Sequence, residues 1–333
     1  MNPVRDASGQ GPAAGVGWVN DPSAGLLPVR SLRVAESERL LTSALEAYAV
    51  AVVQMAPGHW AFGPAGAPEL RATASMTDDW LLFDAPLPKP VGGVTAWDVF
   101  AANALLPGGL KGCAGASDGT LRLRAELPLV EQLPLVRSVQ EVCAGLAAAA
   151  AWLRPAGLDA PPAPSAETTS DGVDLQQLCA ETAWPFTVRG ADTAMVELDV
   201  PGAFQQASVA LQLDRGLVVS VPVLSEPLRA PVCATAVGAF LLRATGAVRM
   251  VRAATGTSRV PVCFEVVRAA MPAPAELAEG FAALSLAWRC AAREAAVLAA
   301  DQRVAEWYVR RAAVNVGPST MDFSTVASGP NPQ

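Results

Sequence analysis

The sequence contains a single histidine, His59, and this scarcity limits the chemistry that the chain can perform. Ser-His-Asp triads, Cys-His pairs and multi-histidine metal sites each need histidine at one or more set positions. No GxGxxG stretch follows a predicted strand and precedes a predicted helix, and no GxxxxGK[ST] stretch is present. We therefore predict that the protein is not an enzyme and that it binds no cofactor and no metal ion.

Basic residues and long apolar runs are also scarce. The 333 residues include 24 Lys and Arg against 31 Asp and Glu, and the net charge of -7 disfavours contact with a phosphate backbone. The longest uncharged run, residues 47–68, is interrupted by Pro57, Gly58 and Pro64, whereas a membrane span needs about 20 continuous apolar residues. The N-terminus lacks the apolar stretch of a signal peptide. These features predict a cytoplasmic protein that neither binds nucleic acid nor inserts into a membrane.

The six cysteines contain no CxxC pair, and most of them lie within apolar or helix-periodic stretches. Such cysteines are typical of small buried side chains in a reducing compartment.

Three segments rich in Pro, Gly and Ser divide the chain. Residues 1–32 and 313–333 have no hydrophobic periodicity, which predicts flexible tails. Residues 155–171 contain four prolines and indicate a semi-rigid linker. The linker separates two predicted units, residues 33–154 and residues 172–312.

The two units resemble each other in sequence. Residues 72–87 match residues 208–223 without a gap at an offset of 136, which places Leu81 on Leu217. The offset grows only at turn-like positions, as loop insertions require. We infer a tandem duplication.

Two further matches extend the repeat. Trp60-Ala-Phe62 resembles Trp184-Pro-Phe186 upstream, and Glu126 falls on Glu265 downstream. A glutamate that recurs in both units favours a structural role. We expect a salt bridge from the first glutamate to Lys111 and from the second to Arg249, each across a hairpin.

Hydrophobic periodicity predicts the order α-β-β-β-α-β-β-α for each unit. A first helix, whose apolar face extends to Val52, precedes three strands centred on Trp60, Thr73 and Leu82; in the second unit they centre on Val188, Val209 and Val218. The helix that closes the second unit is expected to continue to about Val309. The fold class is therefore α+β, with antiparallel sheets packed with helices.

The stretch from Asn103 to Leu129, NALLPGGLKGCAGASDGTLRLRAELPL, together with this element order, resembles the bacterial type III secretion chaperone-like fold, which includes the YbjN family. The second unit keeps a Leu-Leu pair, a glycine and Glu265, but has no equivalent asparagine. The resemblance implies protein binding without catalysis. Because such chaperones are usually homodimers, it also implies that two fused copies form an internal pseudo-dimer.

Four aromatic residues are candidates for contact with a partner. Trp18 lies near Val16 and Val19 in the predicted N-terminal tail, and Phe323 lies in the predicted C-terminal tail. Trp307 and Tyr308 lie on the last predicted helix.

Three functions stay open. The first is a non-catalytic protein-binding adaptor or chaperone-like protein, and the second is a non-catalytic structural subunit of a larger complex or enzyme. The third is a small-molecule binder or enzyme with a site between the repeats, for which a polar pocket near Asp98, Asn103 or Glu265 would be required.

Overall fold

The structure is a computed structural model. It describes residues 29–87, 95–106, 108–115, 119–130, 133–152, 174–212, 215–226, 228, 230–256, 261–268 and 271–315. The predicted linker, residues 155–171, and the candidate residues Trp18 and Phe323 lie outside the described part of the chain.

Helices and strands follow one another in two similar series. The elements of the first unit are α1 (Val29–Tyr48), β1 (Ala49–Ala56), β2 (His59–Pro64), β3 (Ala72–Met76), β4 (Trp80–Pro86), α2 (Ala96–Asn103), β5 (Leu110–Ala114), β6 (Leu121–Pro128) and α3 (Leu135–Trp152). The elements of the second unit are α4 (Leu175–Glu181), β7 (Phe186–Gly190), β8 (Thr193–Leu198), β9 (Gln205–Gln212), β10 (Gly216–Leu224), α5 (Pro231–Ala247), β11 (Arg252–Thr255), β12 (Val262–Arg268), α6 (Pro274–Ala300) and α7 (Gln302–Asn315).

The strands form two antiparallel sheets of six strands each. The first has the order β1-β2-β3-β4-β6-β5 and the second has the matching order β7-β8-β9-β10-β12-β11. The predicted α+β class with two similar units is confirmed. None of the helices in the described ranges is long and apolar enough to cross a membrane.

Each sheet has one strand more than the sequence predicted. The first helix ends at Tyr48 rather than continuing through Val52, and the chain runs directly into β1, which pairs with β2. The β-branched side chains of Val50, Val52 and Val53 favour a strand here, and pairing with β2 overrides the helical periodicity. In the second unit, β8 is the strand that the sequence did not predict.

The extra strands also correct the upstream repeat. Trp60 lies in β2, one strand in from the edge, whereas Trp184 precedes the edge strand β7. The two tryptophans are therefore not equivalent, and the match between them was wrong. By strand order, β8 is the counterpart of β2.

The last predicted helix is two helices. The backbone of Asp301 leaves the helical region, with φ of -113° and ψ of 106°, and this ends α6. Its carboxylate then accepts hydrogen bonds from the N–H groups of Arg303 and Val304, which caps α7. At the other end of the described chain, α1 begins at Val29, inside the predicted N-terminal tail.

The core of the first unit lies between its sheet and the pair α1 and α3, which pack on each other. Leu41, Leu45 and Trp60 are completely buried, and the indole N–H of Trp60 donates to the hydroxyl of Thr42 on α1. This helical layer covers β2 and the strands beyond it. The outer strand β1 has only intermediate and exposed residues.

The second core is shared between the units. It includes Val99, Phe100, Ala114 and Leu121 of the first unit among the buried apolar residues of the second. The contacts are reciprocal, since α2 packs on β11 while α5 packs on β5. Reciprocal contacts are what a two-fold axis generates. The units therefore pack as a pseudo-dimer, with β5 and β11 at its centre and β1 and β7 as the outer edges.

Candidate functional site

A buried lysine joins the two units. Lys111 is 1% exposed, and its Nζ donates to the carbonyls of Thr245 and Val248 at 2.7 Å each. These carbonyls lie at the C-terminal end of α5, where the helix dipole favours a cation. The same Nζ lies 2.7 Å from a carboxylate oxygen of Glu126, which also accepts from the N–H of Met250. Every polar group in this cluster therefore has a partner.

Arg252 makes the reciprocal contact from the second unit. Its Nη1 donates to the carbonyl of Leu106, just beyond the end of α2, at 2.9 Å and to that of Leu110, the first residue of β5, at 3.0 Å. Glu265 forms an ion pair with Arg252 and a second ion pair with Arg215. Burial lowers the pKa of the Arg252 guanidinium to about 10, which leaves it protonated at neutral pH. Each unit thus sends one buried cation to the end of the other unit's middle helix.

Of the two expected glutamate salt bridges, the one in the first unit is confirmed and the one in the second unit is wrong. Glu126 pairs with Lys111 as predicted, but Glu265 pairs with Arg215 and Arg252 rather than with Arg249. The guanidinium of Arg249 instead lies 4.6 Å from the ring centroid of Trp80, in a cation–π contact.

The side chains that would have supported a small-molecule pocket take part in structural contacts. The amide of Asn103 donates to the carbonyls of Gly112 and Ala253 and accepts from the N–H of Gly112, so it bridges the units. The carboxylate of Asp98 completes a capping box with Thr95 at the start of α2. Glu265 is neutralised by two arginines. These three side chains are part of the scaffold.

The remaining reactive side chains are scattered. His59 is exposed at the start of β2, and five of the six cysteines are buried while Cys290 is exposed. Burial raises the pKa of the Cys143 thiol to about 11. Within the described ranges, no group of three or more His, Cys, Asp or Glu side chains is arranged to hold a metal ion.

Two of the four aromatic candidates lie on α7, and they differ in environment. Trp307 is 58% exposed, with the guanidinium of Arg311 5.2 Å from its ring centroid. Tyr308 packs edge to face on Phe240 of α5 with the ring centroids 6.2 Å apart, and burial raises its pKa. Trp307 thus stays available to a partner, whereas Tyr308 anchors α7 to its own unit.

The most exposed apolar strand in the described part of the chain is β1. Its sequence, AVAVVQMA, carries no charge, and Val50, Val53 and Met55 are 41%, 57% and 59% exposed. No described strand pairs with its outer side. An unpaired edge presents a row of N–H and C=O groups that an extended segment can bind. We call Ala49–Ala56 with these three side chains the β1 edge.

The β7 edge is its counterpart in the second unit, and it is protected. This strand has only five residues, and it carries the exposed Arg189 next to Val188. A charge on a short edge strand opposes pairing with another chain. The β1 edge has no such charge, so the two outer edges of the pseudo-dimer differ in kind.

Two irregularities shape the β1 edge. The pairing with β2 shifts register between Val50 and Val53 and again between Gln54 and Ala56. Ala51 between the first pair has φ of 52°, in the left-handed region. Bulges of this kind bend an edge and interrupt long ladders. The β1 edge therefore suits a short extended segment better than a long strand.

Sequence reasoning did not find the β1 edge. The uncharged run of residues 47–68 is too interrupted for a membrane span, but that property does not identify an edge strand. The signal that would have identified an edge strand is the cluster of β-branched residues without charge at residues 50–53.

Comparison with known proteins adds no assignment. No protein-family model, no curated protein and no solved structure matches the chain. The resemblance to the secretion chaperone-like fold stays a prediction.

Proposed function

We propose that this chain is a non-catalytic adaptor or chaperone-like protein that binds an extended apolar segment of a partner protein at the β1 edge. The observation that carries the proposal is an uncharged outer strand with three exposed large apolar side chains. An added strand would gain backbone hydrogen bonds along the edge and side-chain contacts with Val53 and Met55.

The contrast between the two outer edges supports this assignment. If the exposed β1 strand had no binding role, a charged residue such as Arg189 of β7 would be expected there, because a charge opposes pairing with another chain. The β1 edge lacks one over eight residues. The bulges in β1 limit pairing to short segments, and the absence of charge leaves such a segment free to pair.

The affinity should be modest. A segment of about six residues buries less than the roughly 1,200 Å² of a standard stable interface, so we expect a dissociation constant on the order of micromolar. Burying the exposed part of one valine contributes about 1 kcal/mol, which corresponds to roughly a factor of five to ten in affinity.

Peptide display tests the proposal. A library of random 12-residue peptides is selected on the immobilised full chain, and the affinity of enriched peptides is measured for the wild type, Val53→Lys and Val297→Lys. Val297 is a matched control, because it is 43% exposed on α6 in the other unit. We expect uncharged, β-branched peptides whose binding falls about tenfold with Val53→Lys alone. Peptides that bind both variants equally well would refute the assignment.

A further inference from the structure

A stretch of the chain that precedes α1 matches the β1 edge in chemistry. Residues 11–20 carry no charge, and Val16, Trp18 and Val19 are the large apolar side chains within them. The β1 edge is also uncharged and exposes Val53 and Met55. Apolar contact and backbone pairing are therefore the interactions available to both.

The fold brings the middle of α1 close to the far end of this edge. The carboxylate of Glu38 lies 3.6 Å from the position that a Cβ on Gly58 would occupy, and Gly58 is in the turn that follows β1. The strand therefore runs back along α1. Val29, where α1 begins, lies nine residues before Glu38, which is about 14 Å of helix.

The tether is long enough for the stretch to reach the edge. Residues 21–28 join Asn20 to Val29 through nine Cα–Cα steps, which extend to at most about 30 Å. That length exceeds the roughly 14 Å from Val29 back to the end of β1, with enough left to reach Val53. A tether of this length keeps the stretch at a local concentration on the order of millimolar, far above the concentration of a second chain in solution.

The bulges favour this short stretch over a second copy of the chain. Two β1 strands that paired along their full length would meet the register shifts on either side of Val53 and Gln54 twice, once in each copy. A stretch of six residues, Gly15–Asn20, that paired around these two residues would meet the shifts only once, in β1.

We propose that Gly15–Asn20 occupies the β1 edge in the free protein, with Trp18 over the exposed side chains of Val53 and Met55. The inference rests on the proposed function and adds its regulation. A partner segment has to displace the chain's own stretch, so its apparent affinity is lowered by the fraction of molecules whose edge is free.

Amide hydrogen exchange of the full chain tests the occupancy without any partner. It compares the wild type, Trp18→Asp and the matched control Trp307→Asp, whose tryptophan is exposed on α7. We expect amides of residues 50–56 to exchange at least tenfold faster in Trp18→Asp than in the other two proteins. Equal exchange in all three overturns the proposal. So does protection that grows with protein concentration, which would show a second copy on the edge.

A second measurement separates this inference from the proposed function. The display selection is repeated on Trp18→Asp, and the enriched peptide is titrated into both proteins. At least tenfold tighter binding to the variant supports the occupancy, and equal binding overturns it while the proposed function stands. If no peptide is enriched on either protein, the proposed function fails, and the exchange data alone decide the occupancy.

Discussion

Replacing Lys111 by methionine should be among the most damaging single changes in the chain. Methionine matches the length of the lysine stem but removes the charge. Glu126 then stays buried without its cation, and the carbonyls of Thr245 and Val248 lose their donor. Breaking a buried ion pair by removing one partner costs about 3–5 kcal/mol. We expect Lys111→Met to lower the free energy of unfolding by that amount.

Urea unfolding followed by circular dichroism measures this change. Arg137→Met is the control, because the Arg137–Glu141 pair is an exposed i,i+4 contact on α3. Such pairs contribute about 0.5 kcal/mol or less. The control should therefore unfold almost as the wild type does.

A double variant identifies the cause of the loss. In Lys111→Met with Glu126→Gln the buried charge is gone, while the glutamine oxygen can still accept from the N–H of Met250. We expect the double variant to be at least about 1 kcal/mol more stable than Lys111→Met alone. A single variant within about 0.5 kcal/mol of the wild type, or a double variant no better than the single one, would refute the reasoning.

Three further predictions concern packing, thiols and protonation. A Cβ on Gly246 would lie 2.0 Å from the carbonyl oxygen of Ala114 across the interface, so Gly246→Ala should lower the unfolding midpoint in urea strongly. The control is Gly190→Ala, whose Cβ meets no atom within 4 Å. Equal midpoints for the two variants would contradict this packing. In the native protein, iodoacetamide should label Cys290 first and Cys290→Ser should lose that label, whereas unchanged labelling of Cys290→Ser would show that another thiol is accessible. Burial raises the pKa of the Glu141 carboxyl above its ordinary value of 4.5, so the folded protein binds this proton more tightly than the unfolded chain does. The free energy of unfolding therefore falls as the pH rises from 4.5 through the folded-state pKa. Glu141→Gln should therefore gain stability relative to the wild type as the pH is raised above 4.5, and a difference that does not change with pH would contradict the assignment.

The sequence predicted the helices and most strands, but not where α1 becomes β1. The run from Tyr48 to Ala56 has apolar residues at positions that fit a helix face, so helical periodicity predicts a helix past Tyr48, where α1 ends. Whether a short apolar run is helix or strand depends on the partner that pairs with it, here β2. The pairing of β1 with β2 is a tertiary contact, and local periodicity does not predict it.

The gapless match places Leu81 of β4 on Leu217 of β10, and both side chains are buried at the second residue of their strands. One strand earlier the gapless match is off by one. Thr73, which it placed on Val209, is exposed, and the buried Ala74 has the equivalent pairing. A single extra residue in the hairpin moves every side chain of the strand to the other face.

The candidate site was less predictable than the fold. The sequence identifies Glu126, Lys111 and Asn103 as residues of interest. It does not indicate a role for Arg252, because sequence alone does not distinguish a buried arginine from an exposed one. Its role becomes apparent only when the carbonyls of Leu106 and Leu110 are seen to accept from it across the interface. Likewise, the exposure of β1 depends on how far the helical layer extends over the sheet.

Because both halves of the pseudo-dimer lie on one chain, its two outer edges can differ in sequence. In a homodimer of identical subunits, every substitution occurs twice, so both outer edges would be open or both would be closed. Two open edges at opposite ends would let molecules join end to end without limit. In this chain Arg189 places a charge on the outer strand β7, whereas the outer strand β1 carries no charge. If the proposed function holds, the fused molecule binds one segment at its sheet edges, and assembly through those edges ends there.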